Sequence, residues 1–446
     1  MSGNHSTARG VTFHHGTHPA EMKDATCGLP VERMPFVKEY VLPLSQHTGA
    51  PSRPIVGPGQ RVRRGEMIAA PDGFISTALH APVTGTVRGI ELRPHPTGKR
   101  MPSVVIDIDP FDSQRFEPRD ERPDESTSVD DVVRMVQEAG LVGLGGAAFP
   151  SHVKLKVPEG RRAKFVILNG CECEPYLTCD HRLMVERAPE VIRGLRTIMR
   201  LVSAERGYIG VEGNKPDAIE RLRDEIGGDE TIRVVELQVK YPQGAEKMLI
   251  ESIFKREVPS GKLPLDLEMV VNNVGTAAAL ADLYSSGLPL IERLVTVTGS
   301  GVRRPGNLLV PIGTPISELL DYCGGLHPNT REVIVGGPMM GAAQKNLDVP
   351  VLKGTSGVLA FTQPTPRYQE EACIRCGRCL EACPMYLNPS RLASLTREER
   401  PEDLGTHNIF DCCECASCSY VCPSFIPLVQ LMRLGKALVR QQKASS

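Results

Sequence analysis

The 446-residue chain has no tryptophan, few aromatic residues (4%) and no long apolar run. No stretch approaches the roughly 18 consecutive apolar residues that a membrane-spanning helix needs, and the first residues are too polar for a signal peptide. The formal net charge is -1 and acids and bases are interspersed, so we expect no basic surface for nucleic acid. These absences favour a soluble or peripheral protein of the cytoplasm that binds no nucleic acid.

Cysteine is abundant, and its spacing is informative. Eight of the 14 cysteines form two runs with the spacing C-x2-C-x2-C-x3-C-P, namely Cys373, Cys376, Cys379 and Cys383, then Cys412, Cys415, Cys418 and Cys422. Bacterial ferredoxins use this spacing to hold a pair of [4Fe–4S] clusters. Paired zinc sites are the alternative, but zinc seldom uses three evenly spaced cysteines followed by C-P twice over. The two runs therefore indicate single-electron transfer.

The same spacing predicts which cysteines share a cluster. Cys412 and Cys413 are adjacent, and only Cys412 stands two residues before Cys415. We therefore expect Cys413 to be a spare thiol packed near the cluster. In the ferredoxin arrangement, three thiolates of a run bind one cluster and the fourth binds the other. One expected set is Cys373, Cys376, Cys379 and Cys422, and the other is Cys412, Cys415, Cys418 and Cys383.

The first part of the chain indicates an irregular extension followed by a small β domain. Residues 1–36 show no regular pattern, and His14, His15 and His18 are interpreted as surface or packing histidines. Residues 37–112 alternate short apolar segments with Gly and Pro turns. The stretch Ala81-Pro-Val-Thr-Gly-Thr-Val resembles the strand–turn–strand of lipoyl and biotinyl carrier domains, which implies a barrel-sandwich. The turn at 72–77 lacks the lysine of those carriers, so a docking module is favoured over an acyl carrier.

After a charged linker with prolines at 113–128, residues 129–266 predict an α/β domain in which strand and helix patterns alternate. A helical pattern runs into a glycine cluster formed by Gly143, Gly145 and Gly146. Such glycines let the backbone adopt positive φ and bring N–H groups close to a phosphate or a flat ring. A helix precedes the cluster, so it is not the strand-first dinucleotide motif. A purely structural tight turn is the alternative.

Polar residues follow the predicted strands of this domain. Asn169 begins the sequence Asn-Gly-Cys-Glu-Cys-Glu-Pro-Tyr directly after the apolar run 163–168, at the strand end where α/β sheets bind ligands. A second glycine turn, Tyr241-Pro-Gln-Gly-Ala-Glu-Lys, runs into a helix and offers backbone donors to an anion. Asn272 and Asn273 carry amides that can bind the edge of a heterocycle. Together these features predict a binding site for a planar, polar ligand.

The remaining pattern completes a multidomain α+β chain. Residues 267–345 predict a β-grasp module, residues 346–366 a linker, and residues 367–440 an α-helical double [4Fe–4S] domain of the ferredoxin type. Residues 441–446 are expected to form a loose tail. The predicted order is thus barrel-sandwich, α/β domain, β-grasp module and cluster domain.

Taken together, these motifs resemble one family closely. The glycine cluster with Phe149-Pro150, the sequence after Asn169, the turn at Tyr241 and the two cysteine runs are similar to the C-type subunit of the Rnf complex, the ion-translocating ferredoxin:NAD oxidoreductase of bacterial membranes. The region from the glycine cluster to Thr276 is more distantly similar to the flavin subunit of respiratory complex I. The resemblance implies FMN and NAD(H) in the α/β domain, two [4Fe–4S] clusters, and membrane subunits of the Rnf complex as partners, with ferredoxin as an indirect one. It also implies a peripheral position on the cytoplasmic side of the bacterial inner membrane.

The resemblance further implies the site residues. Phe149 would stack on the nucleotide, while Glu172, Glu174 and Glu246 would meet the nicotinamide and ribose. The residues implied to line the flavin are Gly143, Gly145, Gly146, Lys154, Asn169, Tyr241, Gly244, Asn272, Asn273 and Thr276. The chain departs from the family at Ala148, where glycine is usual. No catalytic acid or base is expected, because a flavin itself joins two-electron to one-electron chemistry.

Two other functions remain open. A cobalamin reductase of propanediol-type microcompartments shares these motifs, but in that family the barrel-sandwich module follows the clusters, whereas here it precedes them. A non-catalytic iron–sulfur electron carrier or docking subunit would have a glycine loop that is only structural. Flavin binding and bleaching by NADH would separate the enzyme from the carrier.

Overall fold

The structure of the chain, a computed structural model, describes residues 10–363 and 369–445. Its elements follow the predicted order: strands first, then alternating strands and helices, then a second β-rich part and a helical end. None of the described helices is long and apolar enough to cross a membrane.

The N-terminal β part is a sandwich of two small sheets. Its strands are β2 (Glu39–Pro43), β3 (Arg53–Pro54), β4 (Arg61–Val62), β5 (Met67–Ala70), β6 (Leu79–His80), β7 (Gly85–Pro94) and β8 (Arg100–Ile108), and β1 (Val31–Arg33) precedes them. One sheet has the order β2-β8-β7-β4 and the other the order β3-β5-β6. Alternation along β7 directs Val87 into the core and Arg88 to solvent. Tyr40, Ile68 and Ile106 are fully buried in the shared core.

The α/β part is built on a parallel sheet. Its strands are β9 (Phe165–Asn169), β10 (Arg206–Glu212), β11 (Ile232–Leu237) and β12 (Met269–Asn273), and its helices are α1 (Val129–Glu138), α2 (Ser151–Leu155), α3 (Cys179–Glu186), α4 (Ala188–Leu201), α5 (Pro216–Ile226), α6 (Glu246–Phe254) and α7 (Val274–Ser286). The strand order is β11-β10-β9-β12, with all pairs parallel. The carboxyl ends of β9 and β12 therefore meet at one edge of the sheet, where ligands bind in such folds.

The local sequence explains two helix boundaries. Ser128 precedes an apolar helical pattern, which predicts an N-cap, and it does cap α1, because its Oγ accepts the N–H of Asp131 at 3.2 Å. The apolar spacing over 181–203 predicts one helix. The structure instead has two helices, α3 and α4, with Pro189 in the first turn of α4. Proline lacks an N–H and is tolerated in a first turn, whereas it interrupts a continuous helix.

A second β-rich part contains β13 (Glu292–Thr298), β14 (Gly306–Pro311), α8 (Ile316–Tyr322), β15 (Glu332–Val335), β16 (Ala342–Ala343) and β17 (Gly357–Phe361). Its sheet has the order β1-β14-β13-β17-β15-β16. Strands β13 to β16 and helix α8 lie within residues 267–345, the range predicted as a β-grasp module. The start of that range corrects the prediction, because β12 pairs in parallel with β9 and, with α7, belongs to the α/β part. The sheet also takes in β1 and β17, which come from outside the segment predicted for that module.

The positions of β1 and β17 correct two expectations from the sequence. β1 lies within the extension predicted at 1–36 and pairs in parallel with β14. β17 lies within the linker predicted at 346–366, yet it pairs with both β13 and β15, and residues 358–360 are fully buried. The linker prediction is wrong there because a short apolar run has no periodicity that separates a buried strand from a hinge. Residues 1–9 of the extension and residues 364–366 of the linker lie outside the described residues.

The C-terminal part is helical, as predicted, with α9 (Arg378–Glu381), α10 (Pro389–Arg397), α11 (Pro401–Thr406), α12 (Ser417–Tyr420) and α13 (Leu428–Ser445). Leu395, Leu404 and Ile409 are fully buried in its core. Helix α13 extends through most of the tail predicted at 441–446. The helix continues because the sequence after Gly435 contains neither glycine nor proline to end it.

A buried lysine joins three of these parts. Lys353 lies in the loop before β17 and is 1% exposed. Its Nζ donates to the carbonyl oxygens of Ala78 (2.7 Å) and Gly140 (2.6 Å) and contacts Thr77 Oγ1 (3.2 Å). It therefore links the loop to the sandwich and to the segment that follows α1. Burial lowers the pKa of Lys353 to about 7.

This lowered pKa gives a measurable pH dependence of stability. Between about pH 7 and pH 10 the unfolded lysine is protonated and the folded one is neutral, so the unfolded state binds more protons. The wild-type chain should therefore gain up to about 1.4 kcal/mol per pH unit over this range relative to Lys353→Met. Urea denaturation across the range measures the difference, and Lys345→Met, at an exposed position, should keep the wild-type slope. An equal slope in wild type and Lys353→Met would contradict a neutral buried amine.

Candidate functional site

The glycine loop connects α1 to α2, and hydrogen bonds hold it at Leu144. The N–H of Leu144 donates to Thr276 Oγ1 at 3.0 Å, and the carbonyl of Leu144 accepts a hydrogen bond from Nη2 of the buried Arg293 at 2.6 Å. Residues 145–147 are exposed, and no hydrogen bond among the described residues uses their backbone N–H groups. Such a set of open donors fits a phosphate or the polar edge of a ring.

The register of β9 and β12 places Asn169 and Asn273 side by side. Asn169 Nδ2 donates to the carbonyl of Gly244 at 2.8 Å, which brings the second glycine turn to the sheet edge. Asn273 Oδ1 accepts the N–H of Gly275 at 2.8 Å and caps α7, while its Nδ2 donates to Asp180 Oδ2 at 2.7 Å. The structure thus brings these predicted residues together, and their amides position the surrounding loops.

Asn272 differs from its neighbours because its amide is unsatisfied. Its side chain is 7% exposed, and Nδ2 has no hydrogen-bond partner within the described part of the chain. A buried donor without a partner is costly, and native structures usually supply one. The carbonyl or ring nitrogen of a bound heterocycle is a suitable acceptor. The site therefore fits a flavin on the evidence of its own polar atoms.

The other predicted residues near the loop are partly exposed. Lys154 Nζ lies 2.8 Å from Glu246 Oε1 and donates to the carbonyl of Val271 at 2.9 Å. The two charged side chains are about a third exposed, at 33% and 38%. Phe149 is half-buried at the end of the loop, and its carbonyl accepts the N–H of Gly143 at 2.7 Å. These side chains retain surface for contact with a ligand.

The two acids of the turn after β9 are held by backbone donors. The Glu172 carboxylate accepts the N–H groups of Asp180 (2.7 Å) and His181 (3.1 Å) at the start of α3. The Glu174 carboxylate accepts the N–H groups of Met339 and Met340, both at 3.0 Å. Burial raises the pKa of Glu174 to about 7. Three acids are predicted to meet the nicotinamide and ribose. Of these, Glu246 differs from Glu172 and Glu174, because its carboxylate accepts no backbone N–H among the described residues.

Lys23 fixes this acidic turn, and sequence reasoning missed it. Its Nζ donates to the carbonyl oxygens of Glu172 and Glu174, both at 2.9 Å, and to that of Leu177. The side chain is buried, and burial lowers the pKa of Lys23. Arg293 was missed in the same way. A lone basic residue in an irregular or apolar stretch carries no pattern that predicts its partners.

Tyr241 connects the α/β part to the cluster part. Its side chain is 1% exposed, and its hydroxyl donates to the carbonyl of Cys415 at 2.8 Å. Its backbone pairs with Thr17 through two hydrogen bonds of 2.8 and 2.9 Å. The second glycine turn therefore reaches both Asn169, through Gly244, and the second cysteine run, through Tyr241.

One of the two predicted ligand sets lines a single small cavity. His15 Nδ1 lies 3.0 Å from the carbonyl oxygen of Cys383, and Lys436 Nζ donates to that of Cys412 at 2.7 Å. Four thiols and an apolar wall are suited to a [4Fe–4S] cluster. Cys413 also lines the cavity, so the cavity alone does not separate it from Cys412. The lining includes Cys383, Cys412, Cys413, Cys415, Cys418, Leu387, Leu392, Val429 and Met432.

The other predicted set is more open to solvent. Cys373 and Cys376 are exposed, whereas Cys379 and Cys422 are half-buried. Burial raises the pKa of Cys379, and the nearby Cys422 acts in the same direction. Cys379 and Cys422, which the spacing predicts to share a cluster, thus lie near each other.

Four domain families match the chain in the predicted order. Residues 11–110 match the RnfC barrel sandwich hybrid domain, and residues 136–282 match the Nuo51 FMN-binding domain. Residues 294–343 match the SLBB domain, and residues 369–426 match a 4Fe-4S dicluster domain. These matches confirm the predicted fold class and the predicted FMN and iron–sulfur domain types.

Curated relatives agree over most of the chain. The RnfC-type subunit of a proton-translocating ferredoxin:NAD(+) oxidoreductase complex from Clostridium ljungdahlii is 44% identical, covering 87% of this chain and 85% of the relative. The corresponding subunit of an Na(+)-translocating complex from Acetobacterium woodii is also 44% identical, over 90% of each chain. That of an ion-translocating oxidoreductase complex from Pseudomonas aeruginosa is 40% identical over 94% of this chain and 55% of its own length. The chain therefore belongs to the RnfC family of ion-translocating ferredoxin:NAD oxidoreductase complexes.

Proposed function

We propose that this chain is the electron-input subunit of an Rnf complex and moves electrons between NAD(H), FMN and two [4Fe–4S] clusters. Family membership and the matches to an FMN-binding domain and a dicluster domain support this proposal. The observation that carries it is the hydrogen bond of 2.8 Å from the Tyr241 hydroxyl to the carbonyl of Cys415. This bond joins the glycine turn of the flavin-type site directly to a cavity lined by four cysteines of one predicted cluster.

The residues around the glycine loop would hold FMN in three ways. The open N–H groups of residues 145–147 would bind its phosphate or ring edge, and the unsatisfied amide of Asn272 would donate to the ring. Lys154 would supply positive charge. The remaining predicted residues would shape the pocket by holding its loops, namely Gly143, Asn169, Tyr241, Gly244, Asn273 and Thr276.

A bound flavin accepts the two electrons of a hydride together and releases them singly, which is the form that [4Fe–4S] clusters take up. The chain's own residues need only orient the nucleotide and keep water away. Phe149 would stack on the nucleotide, and Glu246 would meet its ribose. Glu172 and Glu174 would act less directly, by keeping the turn after β9 in place. No side chain is required as a general acid or base.

Two sets of cysteines would hold the clusters. Cys412, Cys415 and Cys418 with Cys383 would bind the cluster that lies beside Tyr241 and the flavin-type site. Cys373, Cys376 and Cys379 with Cys422 would bind the second cluster, in the part of the domain where two of the cysteines are exposed. Electrons would thus pass between the flavin site and the enclosed cluster, and then between the enclosed cluster and the more exposed cluster.

The partners follow from membership in the family. The chain is one subunit of a larger complex, and none of its described helices can cross a membrane. We therefore place it peripherally on the cytoplasmic side of the bacterial inner membrane, in contact with the membrane subunits of the Rnf complex. Ferredoxin would exchange electrons with it indirectly, through those subunits.

The function predicts a direct spectroscopic result. The full chain, purified anaerobically, should contain FMN and about eight iron and eight sulfide per chain, since two four-iron clusters require that count. NADH should bleach the flavin absorbance and part of the cluster absorbance. A chain with cluster absorbance but no flavin, unchanged by NADH, would instead be a non-catalytic electron carrier.

Asn272→Leu tests the flavin site. Because Nδ2 of Asn272 has no hydrogen-bond partner among the described residues, the substitution should leave the thermal unfolding temperature of the FMN-free chain unchanged or slightly raised. The dissociation constant for FMN, measured by quenching of flavin fluorescence, should rise about tenfold through loss of a buried hydrogen bond. Asn346→Ala, on an exposed loop of the second β-rich part, serves as the control and should bind FMN normally. Unchanged affinity in Asn272→Leu would remove this residue from the site.

Paired substitutions test the cluster register. Cys412→Ala should reduce iron and sulfide from about eight towards about four per chain, because one cluster loses a ligand. Cys413→Ala should keep the full content, although both thiols line the cavity. Iron and sulfide analysis with electron paramagnetic resonance of the reduced protein distinguishes them. The reverse pattern would assign the ligand to Cys413.

A further inference from the structure

We propose that the barrel-sandwich domain is a fixed brace for the glycine loop and that Thr48 is a positioning residue for FMN binding. The proposal rests on the proposed function, because it assigns a role towards the same flavin site. It concerns a domain whose turn at 72–77 contains no lysine.

Thr48 lies between β2 and β3 and contacts the glycine loop directly. Its backbone N–H donates to the carbonyl of Ala148 at 3.2 Å, and its Oγ1 donates to the carbonyl of Ala147 at 3.0 Å. Thr48 of the barrel-sandwich domain thus donates hydrogen bonds to two successive carbonyls of the loop. The N–H groups of residues 145–147, on the same short loop, stay open to a ligand.

The loop needs such support because of Ala148. This residue has φ +47°, in the left-handed region where a Cβ atom is unfavourable. Glycine would adopt this conformation freely, whereas alanine does so at a cost. Gly354 also packs closely, since a Cβ at that position would lie 3.3 Å from the Ala148 Cβ. The chain therefore holds an unfavourable backbone conformation by contacts from outside the loop.

The barrel-sandwich domain also forms hydrogen bonds with the helices at both ends of the loop. Gln137, in the last turn of α1, donates through Nε2 to the carbonyls of Gly73 (2.9 Å) and Ser76 (3.0 Å). His152, in α2, contacts the carbonyl of Phe74 through Nε2 at 2.7 Å, and the two rings pack edge to face. These carbonyls belong to the turn at 72–77, which the sequence resemblance compares with the lysine-bearing turn of carrier domains. That turn is thus docked on this chain's own α/β domain.

The barrel-sandwich domain therefore contacts the glycine loop and both flanking helices. It contacts α1 at Gln137, the loop itself through Thr48, and α2 at His152. A swinging carrier would leave this turn free, whereas here its carbonyls accept three hydrogen bonds at 2.7 to 3.0 Å. We infer that the domain sets the shape of the loop before the cofactor arrives, which lowers the entropy cost of binding.

The test compares Thr48→Val with Thr48→Ser in the full chain after removal and re-addition of FMN. Valine keeps the β-branched shape and the backbone N–H but lacks the hydroxyl, so the dissociation constant for FMN should rise about fivefold. Serine keeps the hydroxyl and should stay within about twofold of wild type. Thr86→Val, on the exposed face of β7, is the control and should bind like wild type.

A second substitution separates positioning from general stability. Ala148→Gly in the Thr48→Val background should restore wild-type FMN affinity, because glycine adopts positive φ without support. Thermal unfolding of the FMN-free chain should be the same for wild type and Thr48→Val. Wild-type FMN affinity in Thr48→Val would contradict the proposed role of Thr48. Weaker FMN binding in a less stable chain, not restored by Ala148→Gly, would also contradict it, because the effect would then be one of general stability. If wild type itself binds no FMN, the proposed function falls together with the brace.

Discussion

Buried lysine and arginine side chains that donate to backbone carbonyls hold this structure together. Irregular loops surround the sheet edge, and their polar backbone groups have no partners in helices or sheets. Lys23, Arg293, Lys353 and Lys436 each reach such carbonyls from another segment of the chain. Lys215 does the same for Cys171 at 2.6 Å. Without these donors the carbonyls would be buried with no hydrogen-bond partner, which is unfavourable.

This arrangement has an energetic cost that suits the function. Burying a charge without full compensation is unfavourable, and burial accordingly lowers the pKa of both Lys23 and Lys353. In return, the turn after β9 and the segment after α1 are fixed before any cofactor binds. Preorganised polar groups spend little free energy on ordering when a ligand arrives. The cost is therefore consistent with a site that must hold a cofactor in one orientation.

The same principle links the two redox parts of the chain. The hydroxyl of Tyr241 and the ring of His15 reach the carbonyls of Cys415 and Cys383, two residues of one predicted cluster set. The segment that carries His15 also pairs with Tyr241 through Thr17. The N-terminal segment, the glycine turn and the cysteine loops are thus packed as one unit. Their contacts hold the flavin-type site next to the enclosed cysteine cavity.

The sequence by itself determined the features that depend on local spacing. The cysteine runs, the alternating strand and helix pattern, the cap at Ser128 and the asparagines at strand ends are all short-range patterns, and the structure and the family matches bear out the architecture that they predict. The site residues predicted around Asn169 and the glycine loop do lie together, because parallel strands bring their carboxyl ends to one edge.

Only the tertiary structure decided which groups those residues contact. The carboxylates of Glu172 and Glu174 are held by backbone N–H groups, β17 is a central strand rather than a linker, and Thr48 lies on the glycine loop. These contacts join distant segments: Thr48 and Ala147 are 99 residues apart, and Lys353 and Ala78 are 275 apart. A single polar side chain has no periodicity, so its partner is fixed by the packing of whole domains and not by its neighbours in the sequence.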